Sequence, residues 1–252
     1  WTTEHHFQYE GYEVIPNGLL ISTWIAAKTQ NVRLGAMFNV VPQWHPLKLA
    51  EDFATLHNLS NGRGMLGVGR GTLPREILHL NHDQISIGST DNPDMVADDA
   101  RNREWFEEAM DVIHLALTEE KFSHTGKYFT FPMPDIPDRG TTVTSLTLVP
   151  RPLYPYETWQ AATSPASVDY CPKVGHGAVF WNQHPVFTKR AWDRYAEVHE
   201  QTHGSPLATG AQPDDLRSDR IETDGPAQRL LHPRNGGRLR PGTAHLGGLL
   251  AD

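Results

Sequence analysis

Residues 33 to 71 constrain this chain more than any other stretch, because they read as strand, helix, strand with little between. Leu34 to Val41 is a nearly continuous apolar run, as expected of a strand buried on both faces. Pro42 and Pro46 end it, since neither has an N–H to give a sheet ladder. From Leu47 the period becomes helical, with Leu49, Phe53 and Leu56 on one face and Glu51, Asp52 and His57 on others. Ser60-Asn61-Gly62 supplies a stop suited to left-handed backbone. Met65-Leu66-Gly67-Val68 then reads as a second short buried strand that ends at Gly69-Arg70-Gly71. Two strands joined by one helix run parallel and cross over right-handed, so a parallel sheet covered by helices follows.

The flanking segments extend the pattern. Trp1 to Phe7 reads as a strand end followed by a loop, and Gly18 to Gln30 as a helix with Leu20, Trp24 and Ala27 on one face and Asn17 as N-cap. Thr72 to Arg101 reads as loop, with a turn cluster at Gly88 to Pro93. Arg103 to Leu117 is a helix, Phe106, Met110, Ile113 and Leu117 falling on one side. Phe122 to Phe131 reads as an excursion with a hairpin around Gly126. Thr158 to Ala162 is a short strand, and Ser164-Pro165-Ala166-Ser167 opens a helix with Pro165 in its first turn. Gly177 to Trp181 is the next strand, and Phe187, Ala191, Tyr195 and Val198 mark a further helix. Residues 211–252 contain no Phe, Trp or Tyr and show no helix or strand period. The chain thus divides into 1–210, which carries the α/β pattern, and an irregular tail at 211–252.

Bulk properties remove several classes of function. A net charge of −8 argues against non-specific nucleic-acid binding, which needs a basic face. One cysteine, Cys171, leaves no internal disulfide framework and fits a reducing, cytoplasmic setting. No run approaches the roughly 20 apolar residues of a membrane-spanning helix. No set of His, Cys or carboxylates has the spacing of a zinc site, and neither a Gly-x-Ser-x-Gly elbow nor a phosphate-binding P-loop occurs.

Several blocks, in matching order and spacing, carry a family resemblance: Trp1-Thr2-Thr3-Glu4-His5-His6-Phe7, Arg33-Leu34-Gly35, Pro42 to Pro46, Leu59-Ser60-Asn61-Gly62-Arg63 and Gly67-Val68-Gly69-Arg70-Gly71. Together they resemble the bacterial luciferase-like family of flavin-dependent monooxygenases, over roughly residues 1–205. The resemblance implies a (β/α)8 TIM barrel, here incomplete, with the first and last strands missing or replaced. It implies reduced FMN made by a separate flavin reductase, O2, a small organic substrate such as an aldehyde, and homodimerisation. Two alternatives stay open: a deazaflavin-dependent hydride-transfer enzyme of the same fold, and a flavin-binding or structural relic without turnover.

Barrel sites lie at the C-terminal ends of the strands, and the candidate residues fall at such ends. By resemblance His5 is the catalytic histidine; imidazole titrates near neutrality and can take and return a proton. His6 beside it reads as a packing residue. Met37 and Phe38 correspond to a flavin-contacting pair that forms a cis peptide in luciferases, where both side chains are small; here both are large. Gly69, Arg70 and Thr72 correspond to the phosphate anchor, with Arg70 as the cation and the Thr72 N–H as a second donor. Thr163, Ser164 and Ser167 close the phosphate site from another strand end, at a helix start where free N–H groups favour an anion. Ser164 read alone is equally a plain helix cap. His45 matches a family histidine on the substrate side, with a structural role as the plain alternative. His79 and His82 read as solvated.

Overall fold

The computed structural model describes residues 1–8, 15–71, 73–80, 93–180 and 184–207, with 74 and 93–97 described as backbone. The domain assignment at 211–252, Thr72, His82 and Trp181 lie outside the described residues.

Helix α1 (Gly18–Ala26) is N-capped by Asn17, whose side-chain oxygen accepts the Leu20 N–H at 2.8 Å. It stops four residues before the expected Gln30. Its Leu19, Ser22 and Ala26 are buried, whereas Leu20, Ile21 and Trp24 are exposed, so its most apolar stripe faces outward. The Arg63 guanidinium donates to the carbonyls of Ala26, Thr29 and Val32, which gives acceptors at and just past the end of that helix a donor.

The strand expected over Leu34 to Val41 is two strands, β1 (Leu34–Gly35) and β2 (Asn39–Val40), separated at a cis peptide between Met37 and Phe38. Both pair in parallel with β3 (Gly64–Gly69), through Leu34 with Gly64 and Asn39 with Val68. Between them Ala36 bridges in parallel to Thr2. Its carbonyl comes so close to β3 that a side chain at Gly67 would run into it. The nearly continuous apolar run from Leu34 to Val41 reported burial, which holds except at the half-buried Met37 and Phe38, but burial says nothing about continuity of the ladder.

After a 3-10 turn at Val41–Gln43, α2 (Pro46–Leu59) begins with proline in its first turn and packs Leu49, Phe53 and Leu56 into the core. Asn61 and Gly62, both at positive φ, end it. Two helices occupy part of the segment read as loop: α3 (Pro74–Leu80), and α4 (Pro93–Thr118), which begins ten residues before the expected start. Asp94, Asp98, Asp99 and Arg101 interrupt the apolar period there, which hid the helix. Phe106, Met110, Ile113 and Leu117 of α4 fill the core against α2, as their spacing requires.

Two small antiparallel hairpins follow, β4 (His124–Thr125) with β5 (Thr130–Phe131), and β6 (Pro137–Asp138) with β7 (Thr141–Thr142). The first is clamped by Glu108 of α4, whose carboxylate accepts the backbone N–H groups of Lys127, Tyr128 and Phe129 and meets His124 Nε2 at 3.1 Å. The chain returns to the sheet at β8 (Thr158–Ala161), parallel to β3, then α5 (Pro165–Lys173), β9 (Gly177–Val179) parallel to β8, and α6 (Pro185–His203). The main sheet is parallel, in the order β1-β3-β8-β9, with β2 beside β3. Among the described residues these strands do not close into a ring, so the architecture is α/β with a parallel sheet. No described helix is long and apolar enough to cross a membrane.

Candidate active site

A parallel sheet delivers every following loop to the same edge. The strand-like Thr2, β2, β3 and β8 therefore send Glu4-His5-His6, Val41-Pro42-Gln43, Arg70-Gly71 and Ala162-Thr163-Ser164 to one mouth. Val68 is in register with Gln160, so Arg70 and Ala162 leave the sheet as neighbours, with strands about 4.8 Å apart.

One end of this mouth is an imidazole–carboxylate network. His5 Nδ1 lies 3.2 Å from Glu76 Oε1, and the same oxygen accepts the His6 N–H at 2.9 Å. Glu76 stands on α3 and is buried. His6 Nε2 lies 3.1 Å from Glu4 Oε1. The buried Glu4 also accepts the Trp44 indole N–H at 2.9 Å and the Val40 N–H at 2.9 Å, tying the His5 loop to the exit of β2. His6 thus bonds within its own loop, to Glu4. Each buried carboxylate here has several donors, which offsets the cost of taking it out of water.

At the other end stands Arg70, directly after β3. Its Nη1 donates to Asp99 Oδ1 at 3.0 Å, the Asp99 carbonyl at 3.3 Å and Asn102 Oδ1 at 3.4 Å. Burial and neighbouring Arg103 push its guanidinium below the usual range, while Asp99 pulls the other way. Ser164 caps α5: its Oγ receives the Ser167 N–H at 3.3 Å and lies 2.9 Å from Ser167 Oγ. Thr163 precedes this cap on the exposed rim. Arg70 bonds to α4, while the two serines bond to each other.

Between the ends lie Met37 and Phe38, both half-buried, joined by a cis peptide, a geometry that their large side chains had left open. Phe38 covers the end of β3: a side-chain carbon on Gly69 would sit 3.2 Å from Phe38 Cβ. His45 precedes α2 on the rim, edge-on to Phe131 of β5 at 5.4 Å. Desolvation lowers its pKa, against a smaller opposing pull from Glu51. His79 is exposed, as read, with Nδ1 2.6 Å from the Arg75 carbonyl.

Four residues of this constellation escaped the sequence reading: Glu76, Asp99, Asn102 and Gln43. Glu76 and Asp99 sit in the segment read as loop, and Asn102 just past its end, where no period distinguishes a buried side chain from a solvated one. Gln43 carries a carboxamide whose nitrogen and oxygen are both buried without a partner. A flavin phosphate and ring present the opposite needs. The phosphate requires a cation and hydroxyl donors, which Arg70, Ser164 and Ser167 supply, and the polar ring edge can pair with an orphaned amide such as that of Gln43. The donor set fits the group. Among the described residues no cluster of three or more His, Cys, Asp or Glu could hold a metal ion.

Comparison with known proteins gives a consistent assignment. A family model described as luciferase-like monooxygenase matches residues 1–216. The oxygenase component of the flavin-dependent trigonelline monooxygenase of Acinetobacter baylyi is 44% identical over 71 residues, covering 28% of this chain and 19% of that one. The F420-dependent glucose-6-phosphate dehydrogenase of Kineococcus radiotolerans is 26% identical over 181 residues, covering 71% of this chain and 46% of that one. The chain therefore spans less than half the length of either relative. Among solved structures, the FMN complex of the oxygenating constituent of 3,6-diketocamphane monooxygenase from Pseudomonas putida superposes with a TM-score of 0.59 at 21% identity, covering 81% of this chain and 53% of that one.

Proposed function

The chain belongs to the luciferase-like monooxygenase family, and we propose that it is a flavin-dependent monooxygenase using reduced FMN and O2 to oxidise a small organic substrate such as an aldehyde. The observation that carries this reading is the delivery of His5, Arg70 and Ser164 to one edge of a parallel sheet, with Met37 and Phe38 between them.

Reduced FMN supplies the electrons and activates oxygen; the protein binds, orients and handles protons. Arg70, Ser164 and Ser167, with Gly69 and Thr163 beside them, hold the phosphate, and the N–H of Thr72, which follows in sequence, is proposed as a further donor. Arg70 offers the charge, and the first turn of α5 adds N–H groups and the positive end of its dipole. Met37 and Phe38 form the platform for the ring. His5 takes and returns the proton, and His45 with Phe131 borders the substrate side. Substrate and O2 complete the reaction, and a separate reductase supplies the reduced flavin, as the designation of the trigonelline relative as an oxygenase component suggests. A homodimer in a cytoplasmic setting belongs to the same proposal; the exposed stripe of Leu20, Ile21 and Trp24 on α1 supports an apolar contact.

The likeness to an F420-dependent dehydrogenase favours a second reading, hydride transfer through a deazaflavin held by the same mouth. Anaerobic titration with reduced FMN and reduced F420 side by side decides between them. Tighter binding of reduced FMN, followed by oxygen-dependent reoxidation and substrate oxidation, is the expected result. Preference for F420, with no reaction towards oxygen, would replace the first reading by the second.

A further inference from the structure

We infer that Asp99 is an internal competitor for the phosphate of the proposed flavin: its carboxylate holds Arg70 before the phosphate arrives, and gives Arg70 up on binding while keeping Arg103 as its partner. This rests on the proposed reading of Arg70 as the phosphate cation and adds what opposes binding there. Arg70 follows β3 at the mouth, and α4 turns Asp99, Asn102 and Arg103, spaced i, i+3 and i+4, towards one another's reach. Asp99 Oδ1 lies 3.0 Å from Arg70 Nη1, and Asp99 Oδ2 lies 3.5 Å from Arg103 Nη2. One carboxylate is thus shared between two guanidiniums, an oxygen to each. A carboxylate that aims an arginine more often grips it with both oxygens, which fixes the plane of the fork.

Arg70 does not need that side chain to stay in place. Asp99 Oδ1, the Asp99 carbonyl and Asn102 Oδ1 all face Nη1, at 3.0, 3.3 and 3.4 Å. A terminal guanidinium nitrogen carries two hydrogens, so one of the three acceptors is surplus. The main-chain carbonyl and the fully buried Asn102 can hold Arg70 by themselves. The Asp99 carboxylate therefore supplies charge more than aim. It is also the part with room to move, its side chain being 31% exposed against 12% for Arg70. On leaving Arg70 it stays beside Arg103, so no charge is stranded. Glu107, within electrostatic reach of both arginines, adds a further counter-charge. A terminal phosphate brings close to two negative charges and three acceptor oxygens at neutral pH, against one charge and one oxygen from Asp99. The phosphate displaces the carboxylate, and the lost Asp99 contact offsets part of what Arg70 contributes to binding.

The test is anaerobic titration of the full chain with reduced FMN, with reduced riboflavin as the phosphate-free control and inorganic phosphate as the isolated anion. Asp99→Asn keeps the shape and the main-chain carbonyl and removes the charge. It should bind reduced FMN and inorganic phosphate about 2–5-fold tighter, the scale of one partly exposed ion pair, with riboflavin affinity unchanged. Asp99→Ser should do the same, so the result does not depend on one variant folding. Asp99→Glu keeps the charge and should give no tightening. Weaker binding of FMN by the two uncharged variants overturns the inference and makes Asp99 a positioning residue for Arg70. Unchanged affinity for FMN and phosphate overturns it as well, and so does equal tightening for riboflavin, which reports a general change in the pocket. Arg70→Met separates the two levels. If it binds FMN as tightly as the unsubstituted chain, the phosphate reading of this end fails and the competitor with it. If it weakens FMN while Asp99→Asn changes nothing, the phosphate reading stands and the competitor alone is lost.

Discussion

The two ends of the mouth are built on different terms. At the imidazole end, Glu4 and Glu76 are buried and well met: three N–H donors from Val40, Trp44 and His6 and two ring nitrogens of His5 and His6 converge on them within 3.2 Å. At the other end, where we propose the phosphate binds, Arg70 leans on the partly exposed Asp99, and Ser164 bonds to the buried Ser167. The first end is finished before any ligand arrives. The second is satisfied by bonds that an anion can replace. Geometry for proton transfer cannot wait for substrate, because a misplacement of about 1 Å costs about 100-fold in rate. A phosphate grip can be completed on binding, since exchanging one polar partner for another costs little.

That contrast can be broken by substitution. The largest effect is expected at the finished end. His5→Ala should slow turnover by about 10²–10⁴-fold, the usual worth of a positioned acid–base group, while reduced FMN binds almost as before; steady-state kinetics beside anaerobic titration measures both. Equal losses in affinity and turnover would place His5 in binding instead. Next, Arg70→Met keeps the bulk and removes the charge. It should weaken reduced FMN about 10–100-fold, from the loss of roughly 1.5–3 kcal/mol, with turnover at saturating flavin within a few-fold. A collapse of saturated turnover would show that the two ends are not separable.

A smaller effect separates the two jobs of Ser164. Ser164→Ala should cost about 1 kcal/mol of stability as a lost cap and weaken FMN several-fold. Ser164→Asp restores the cap, and with it the melting temperature, yet should weaken FMN further by placing a carboxylate against the phosphate. If the aspartate variant binds FMN normally, the serine is only a cap.

The smallest effect is a control remote from both ends. Burial works to raise the pKa of Glu108, but His124 and three backbone N–H groups prevail and hold it below the ordinary value. A carboxylate depressed on folding adds stability that is present above its unfolded pKa, near 4.3, and lost as pH falls through the folded value. Glu108→Gln should therefore lower stability by about 1 kcal/mol at neutral pH, with the difference from the unsubstituted protein shrinking below pH of about 4. Denaturant melts across that range check it, and flavin affinity should not change.

The sequence was informative where side-chain pattern and backbone demand coincide. Pro46 and Pro165 in first turns, Asn61-Gly62 after α2 and the apolar faces of α2 and α4 all stand where their chemistry requires. Arg70 at the end of β3 and Ser164 at the cap of α5 were readable for the same reason, since a strand end and a helix start are local events. What escaped depends on distance. Glu76 gains its meaning from His5, 71 positions away, and Asp99 from Arg70, 29 away. Nothing in the immediate neighbours of a glutamate tells whether it meets water or an imidazole. The break between β1 and β2 escaped for a related reason: it depends on Ala36 bridging to Thr2, which a run of apolar letters does not record.

The clamp between α4 and the first hairpin has an evolutionary corollary. Glu108 grips main-chain groups of Lys127, Tyr128 and Phe129, so it is indifferent to which side chains those positions carry. The main-chain grip survives changes in those side chains, although Tyr128 and Phe129 also pack against the core, and Phe131, beside His45, travels with the hairpin. If His45 and Phe131 border the substrate as proposed, homologues that share the glutamate and the glycine at 126 can vary this wall while its main-chain anchor stays in place.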